Sequence, residues 1–194
     1  MPNALRVCVY CGSRDGSRPE YLSAAARIGK SIGRRGWHMV YGGGRVGLMG
    51  RVADAALAAG AAVTGVIPES LMRREVGHTG LTHLHVVTTM HERKHLMANG
   101  CDAFIALPGG IGTFEELFEV WSWRHLGYHD QPIGLLDTEG YFHPLVAMMA
   151  HAIESGFVTR EQLDMVRVSA DPDALLDALE QAQRDSEPDD LRRI

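Results

Sequence analysis

The sequence has no run of apolar residues close to the roughly 20 that a membrane-spanning helix needs, and it has no basic surplus. Nineteen Lys and Arg against 24 Asp and Glu give a net charge of −5, whereas a sequence-independent nucleic-acid binder needs an excess of positive charge. The opening residues, Met1 to Arg6, lack the layout of a signal peptide. We therefore expect no membrane partner, no nucleic-acid partner and a cytoplasmic location.

Cysteine and lysine are scarce. Three cysteines, an odd number, fit a reducing compartment better than a disulfide framework. Cys8 and Cys11 are spaced like half of a metal or redox site, but the other half is absent, and residues three apart in a strand point to opposite faces. The only lysines are Lys30, in a surface-type helix, and Lys94, next to Arg93. A pyridoxal-phosphate enzyme needs a Schiff-base lysine, so we expect inert thiols and no cofactor.

Short β-type runs alternate with helical patterns along the chain. The predicted strands are Arg6–Tyr10, His38–Tyr41, Ala62–Ile67, Leu84–Val87, Asp102–Leu107, Pro132–Leu136 and Met165–Val168. The predicted helices are Pro19–Arg35, Val46–Ala59, Met90–Asn99, Thr113–Leu126, Phe142–Ser155 and Pro172–Arg184. This alternation is typical of βαβ units. The sequence predicts one α/β domain over residues 1–184, a Rossmann-like parallel sheet with helices on both faces, followed by a charged tail, 185–194.

Glycine-rich turns follow several predicted strands. The first strand runs into Cys11-Gly12-Ser13, the second into Gly42-Gly43-Gly44, and the fifth into Pro108-Gly109-Gly110. Because the carboxyl ends of parallel strands share one edge, where open α/β sheets bind ligands, we expect a nucleotide site there. Glycine also lets the backbone approach a ligand closely. Ser13 and Gly43 are therefore candidate substrate contacts.

The stretch from Pro108 to Glu116 leads from a buried strand into a helix predicted to start at Thr113. Free amide groups and the positive end of the helix dipole make such a start a phosphate site. The stretch matches neither a Walker loop nor a dinucleotide fingerprint. Thr113-x-x-Glu116 also has the form of a capping box, so the residues alone leave a capping role and a catalytic role for Glu116 both open.

His91-Glu92-Arg93-Lys94-His95 matches the zinc-protease pattern His-Glu-x-x-His. Thr89-x-x-Glu92 equally reads as a capping box, which gives Glu92 an ordinary role, and we expect no metal. On another side of this helix Arg93 or Lys94 shares a face with apolar residues. Such a cation either extends over the core into solvent or binds an anionic substrate, for which the planar arginine fork is well suited.

Two paired motifs resemble those of the LONELY GUY family of cytokinin riboside 5′-monophosphate phosphoribohydrolases. They are Met90-His91-x-Arg93-Lys94-x-x-Met97 and Pro108-Gly109-Gly110-x-Gly112-Thr113-x-x-Glu116. The similarity continues through Tyr10-Cys11-Gly12-Ser13, Tyr41-Gly42-Gly43-Gly44, Gly47-Leu48-Met49-Gly50, Gly65-Val66-Ile67-Pro68 and Leu126-Gly127-Tyr128-His129-Asp130-Gln131-Pro132.

The resemblance implies a nucleoside 5′-monophosphate substrate and a homodimer whose sites lie near the interface. It implies that Arg93 and Glu116 are catalytic. The substrate contacts that we expect are Glu75, Arg93, Lys94, Gly110, Ile111, Gly112, Thr113, Phe114, Glu115, Glu116 and Ser122. A non-catalytic nucleotide or cofactor carrier would keep the glycine loops but would need neither Arg93 nor Glu116.

These residues suggest a mechanism for cleaving the N-glycosidic bond, which builds positive charge on the sugar. Gly110 to Thr113 would hold the 5′-phosphate and thereby fix the ribose for attack. Glu116, placed in the first turn of its helix where the dipole favours an ionised acid, would stabilise that charge or activate water. Arg93 would orient the sugar or the carboxylate and assist departure of the base.

Overall fold

The computed structural model describes residues 4–72 and 76–185, which form a seven-stranded sheet. The strands are β1 (Arg6–Tyr10), β2 (His38–Tyr41), β3 (Val63–Pro68), β4 (His83–Val87), β5 (Ala103–Ala106), β6 (Ile133–Leu136) and β7 (Val166–Ser169). Every neighbouring pair is parallel, in the order β4-β3-β2-β1-β5-β6-β7. The strand order reverses between β1 and β5, the position at which open α/β sheets bind ligands.

Helices connect the strands on both sides of the sheet. They are α1 (Pro19–Arg34), α2 (Gly47–Ala58), α3 (Glu69–Met72), α4 (Met90–Ala98), α5 (Ile111–His125), α6 (His143–Glu154), α7 (Arg160–Asp164) and α8 (Pro172–Arg184), with a 3-10 turn at Thr138–Gly140. None of the helices within 4–72 and 76–185 is long and apolar enough to cross a membrane.

Two apolar clusters cover the two faces of the sheet. The strand period of two sends Val7 and Val9 of β1 into a cluster with residues of α1, α2 and α8. It sends Cys8 and Tyr10 into a second cluster with residues of α4, α5 and α6. The predicted fold class, a parallel sheet with helices on both faces, is therefore confirmed.

The predicted strands agree with the observed ones to within one residue at every end. The sequence did not predict α3 or α7, because helices of four and five residues are too short to show a 3.6-residue period. The prediction that residues 1–184 form one domain with a tail stays a prediction, and residues 186–194 of that tail lie outside the described part.

All three cysteines are buried free thiols. Cys8 and Cys11 belong to opposite clusters, so the prediction that they point to opposite faces is confirmed. Burial raises the pKa of the Cys8 thiol well above its ordinary value, which disfavours the reactive thiolate.

Candidate active site

A cavity of about 560 Å³ opens at the carboxyl edge of the sheet, beside the reversal between β1 and β5. Its volume lies within the roughly 300–1,000 Å³ typical of small-molecule sites. Its walls include the loop after β1, Gly42 after β2, and the turn from β5 into α5. The prediction that these glycine-rich turns meet at one edge is confirmed.

The turn from β5 into α5 presents backbone amides to this cavity. Gly110, with extended backbone, is the N-cap residue of α5 and makes no side-chain capping bond. The N–H groups of Ile111, Gly112 and Thr113 precede the first helical hydrogen bond, which Phe114 N donates to Gly110 O at 3.2 Å. Amides at these positions have no partner within the helix, and all three residues line the cavity.

The sequence prediction for the start of this helix is wrong by two residues. Because Gly110 serves as the N-cap, a role that glycine tolerates, Thr113 lies inside the first turn and forms no capping box with Glu116. Glu116 then lies in the second turn, where the dipole effect has largely faded. The helix end therefore contributes little to stabilising a negative charge on Glu116.

Close backbone packing fixes the turn beneath those amides. Gly12 N donates to Pro108 O at 3.1 Å, and a β-carbon at Gly109 would overlap Thr113 Oγ1 and lie 2.8 Å from Gly12 N. The hydroxyl of Tyr141 donates to Gly109 O. The turn is thus held from the β1 loop on one side and from Tyr141 on the other.

Arg93 reaches the cavity from α4 and is almost fully buried, with 6% of its surface exposed. Its Nε donates to Val66 O at 3.2 Å, and its Nη2 donates to Gly42 O at 3.1 Å. A β-carbon at residue 42 would overlap Nη2, so glycine is needed there for the guanidinium to fit. Two backbone carbonyls, one within β3 and one directly after β2, therefore fix the orientation of Arg93.

The third nitrogen of Arg93 faces Glu116. Nη1 lies 3.8 Å from Glu116 Oε1, a charge contact that is too long for a hydrogen bond. Both residues are buried and both line the cavity, so the two predicted catalytic residues lie together. Burial raises the pKa of nearby Tyr10 well above its ordinary value, and the charge of the Glu116 carboxylate adds to this rise.

Lys94 and Glu115 are not among the residues that line the cavity. Lys94 Nζ donates to Glu115 Oε1 at 2.6 Å and to Glu119 Oε1 at 2.7 Å. Burial alone would lower the pKa of Lys94, but these two hydrogen bonds outweigh that effect and raise it. That Lys94 and Glu115 contact the substrate stays a prediction.

The other predicted contacts are scattered. Ser13 lines the cavity. Gly43 follows Gly42, and its carbonyl accepts a hydrogen bond from His78 N at 2.9 Å. Phe114 stacks on Tyr141. Ser122 is exposed on α5, roughly 15 Å along the helix from Gly112 at 1.5 Å per residue. Glu75 lies outside the described residues.

Several cavity residues were not predicted as site residues from the sequence. Among them, Arg14 and Asp15 extend the loop after β1, and Tyr21 and Tyr141 add aromatic surface. The Cys11-Gly12-Ser13 turn indicated where Arg14 and Asp15 would lie, whereas Tyr141 follows Gly109 by 32 positions with no motif linking the two.

The His-Glu-x-x-His pattern has a structural role at Glu92. Its side chain accepts from Thr88 N at 3.0 Å and from Thr88 Oγ1 at 3.1 Å, while Thr89 caps α4 by accepting from Glu92 N. These bonds to Thr88 lower the pKa of Glu92. His91 and His95 are exposed, and the part of the chain described by the structure gathers no group of three or more potential metal ligands.

No lysine lines the cavity. The chain has only Lys30 and Lys94; Lys30 is exposed on α1, and Lys94 is bonded to two carboxylates. The site therefore offers no side chain for a Schiff base, which pyridoxal-phosphate chemistry requires.

A parallel α/β sheet with an amide-lined cavity at its switch point defines the class of Rossmann-like proteins. Solved structures of this fold include the molybdenum cofactor binding protein of Rippkaea orientalis (TM-score 0.69, 19% identity, 93% of this chain and 98% of that one). Another is the molybdenum cofactor carrier protein of Chlamydomonas reinhardtii (TM-score 0.68, 21% identity, 94% and 99%). At such identities the likeness concerns the fold alone.

Sequence relatives define the family more narrowly. A family model described as "Possible lysine decarboxylase" matches residues 49–179. The cytokinin riboside 5′-monophosphate phosphoribohydrolase of Rhodococcoides fascians is 48% identical over 179 residues, 92% of this chain and 90% of the relative. An Arabidopsis thaliana protein of the same name is 47% identical over 154 residues, 79% and 72%. The chain belongs to this family, the LONELY GUY family, as its motifs predicted.

Proposed function

We propose that this protein hydrolyses the N-glycosidic bond of N6-modified adenosine 5′-monophosphates, releasing the free base and ribose 5-phosphate. The observation that carries the proposal is that Arg93 and Glu116 face the same cavity as the amide-lined start of α5. A phosphate group and the reacting sugar can therefore be held side by side. The family relationship supports the same substrate class.

The phosphate end of the substrate fits the start of α5. The N–H groups of Ile111, Gly112 and Thr113 have no partner within the helix, and these residues line the cavity. The helix dipole adds a positive potential there. The side chains of Ser13 and Arg14 border the same space. Binding of the remote phosphate would fix the ribose near Glu116, so that binding energy is used to orient the reacting centre.

Glu116 is the group that would act on the anomeric carbon. As C1′–N bond cleavage develops positive charge on the sugar, a buried carboxylate stabilises that charge or removes a proton from the attacking water. Arg93, held by Val66 O and Gly42 O, would fix the orientation of Glu116. Water supplies the hydroxyl that joins C1′, and its second proton leaves with the base.

A homodimer and a cytoplasmic location belong to the same proposal. Ser122 is exposed and is not among the residues that line its own chain's cavity, so a partner's site is where it would contact the substrate. The free thiols agree with a reducing compartment. Sedimentation of the purified protein tests the dimer directly.

The experiment is product detection with a panel of nucleotides. The proposal predicts ribose 5-phosphate release from isopentenyladenosine monophosphate or AMP, and poor turnover of the matching nucleosides. Glu116→Gln should lower kcat by about 10²-fold or more if the carboxylate acts as a general base. Glu154→Gln, at a side chain 80% exposed, is the matched control and should change nothing. A protein that binds AMP tightly without releasing product would instead be a carrier.

A further inference from the structure

Two charge contacts run side by side between α4 and α5. The inner one joins Arg93 to Glu116 at 3.8 Å and lies at the cavity. The outer one joins Lys94 to Glu115 at 2.6 Å and to Glu119 at 2.7 Å. Lys94 directly follows Arg93 on α4, and Glu115 directly precedes Glu116 on α5. On each helix, therefore, the residues of the inner and outer contacts are neighbours in sequence.

The outer contact is well placed to hold the two helices. Glu115 and Glu119 are one turn apart on α5 and therefore lie on one face, and Lys94 Nζ donates to both of them. The side chains of Lys94 and Glu119 are 12% and 24% exposed, so solvent screens this pair less than it screens a surface pair. Glu115 is 50% exposed, and its contact with Lys94 is screened more strongly. Together the two bonds link α4 to α5.

The same geometry argues against a direct role for Lys94 in binding the anion. Its ammonium is engaged by two carboxylates, and the three side chains together carry a net negative charge, which would repel a phosphate dianion. Lys94 is also absent from the cavity walls, where the described cationic side chains are Arg14 and Arg93. Lys94 with its two carboxylate partners is therefore a poor phosphate site, whereas it is well suited to link the two helices.

We propose that Lys94 is a positioning residue: by bridging α4 to Glu115 and Glu119 of α5, it sets the separation of Arg93 from Glu116. The kinetic test of this inference rests on the proposed function, because it measures hydrolysis by Arg93 and Glu116. It also makes a purely structural prediction, which does not depend on turnover.

Opposite charge changes distinguish positioning from binding. Lys94→Met removes the cation, and Glu115→Gln with Glu119→Gln removes both acids. If the bridge positions the pair, both variants should lower kcat for AMP by about tenfold or more, because a displacement of about 1 Å can cost up to 10²-fold, with KM changed less than about threefold. Combining all three substitutions should add little further loss, since they interrupt the same bridge. Lys94→Arg, which keeps a cation for both acids, should restore most of the rate.

A direct phosphate contact predicts a different pattern. Lys94→Met would then raise KM strongly, while the double glutamine variant, having lost two negative charges near the anion, would bind AMP as well as or better than the wild type. That pattern overturns the inference. Lys30→Met and Glu154→Gln are the matched controls, since both side chains are exposed outside the site, and thermal unfolding of each variant shows whether it is folded.

Crystal structures of the variants test the bridge without any activity. In Lys94→Met and in the double glutamine variant, the distance from Arg93 Nη1 to Glu116 Oε1 should change by about 1 Å, the displacement to which such rate losses correspond. An unchanged distance in both would refute positioning. If the wild type releases no ribose 5-phosphate from any nucleotide, the proposed function fails, and the distances still decide the inference.

Discussion

Gly42 and Arg93 meet so closely that no other residue type fits at position 42 without displacing the guanidinium. The Gly42 carbonyl accepts from Arg93 Nη2 at 3.1 Å, and a β-carbon would overlap that same nitrogen. The obstructed atom is the far end of a flexible side chain, so the fold can accommodate a methyl group while Arg93 moves. A substitution at Gly42 should therefore affect the position of Arg93 much more than the stability of the fold.

Gly42→Ala should accordingly leave the thermal stability nearly unchanged and lower kcat by about 10- to 100-fold, the range expected when a catalytic group is misplaced. The measurement is steady-state release of ribose 5-phosphate together with thermal unfolding. Adding Gly42→Ala to Arg93→Met should cause little further loss, because both act through the same guanidinium. Full additivity of the two losses would contradict this reading.

Gly112→Ala should keep or increase the stability of the protein while weakening substrate binding. A β-carbon at this position meets no atom within 4 Å, and alanine is a better helix former than glycine by up to about 1 kcal/mol. The unfolding temperature should therefore stay the same or rise. If a phosphate lies over the amides of α5, the added methyl group should raise KM for AMP by about tenfold. An unchanged KM would mean that the phosphate binds elsewhere.

The strand and helix order could be predicted because each buried strand is followed by a turn residue and then by a helical period. Arg93 and Glu116 could be predicted because a motif carries them. The acceptors that orient Arg93 could not, since Val66 and Gly42 contribute backbone carbonyls, which are present in every residue type. A sequence motif identifies side chains and therefore cannot indicate which backbone carbonyls accept hydrogen bonds.

The start of α5 shows a second limit of the sequence. Thr113 and Glu116 have capping-box spacing, but the glycines before them allow the helix to begin at Ile111, and Gly109 packs closely against Gly12, a residue almost a hundred positions earlier that the local pattern does not include. The bridge from Lys94 to Glu115 spans 21 positions, so the two could be related only once the sheet had placed α4 beside α5.

Tyr141→Phe should weaken substrate binding with little effect on the fold. The substitution removes the hydroxyl that donates to Gly109 O but keeps the ring that stacks on Phe114. A hydrogen bond contributes a net of about 1 kcal/mol, so loosening the turn that carries the phosphate donors should raise KM for AMP by about fivefold. Tyr128→Phe, at a half-buried tyrosine beyond the end of α5, is the control and should leave KM unchanged.

The bridge at Lys94 should stabilise the protein up to strongly alkaline pH. Its hydrogen bonds to Glu115 and Glu119 outweigh burial, which acts in the opposite direction, and raise the pKa of Lys94 above its ordinary value. A group whose pKa is higher in the folded than in the unfolded chain contributes its full stabilisation below the unfolded pKa, about 10.4 for lysine. That contribution is lost as the pH rises through the folded pKa.

Wild type should therefore be more stable than Lys94→Met by a constant margin from pH 7 to about pH 9, and the margin should shrink as the pH rises above the ordinary lysine pKa, about 10.4. Denaturant unfolding at each pH measures it, and comparing the two proteins at the same pH cancels the titration of groups that they share. Lys30→Met, at an exposed lysine without an ion pair among the described residues, should show a small margin throughout. A wild-type margin that persisted or grew at pH 11 would mean that the ammonium charge of Lys94 is not what joins α4 to α5.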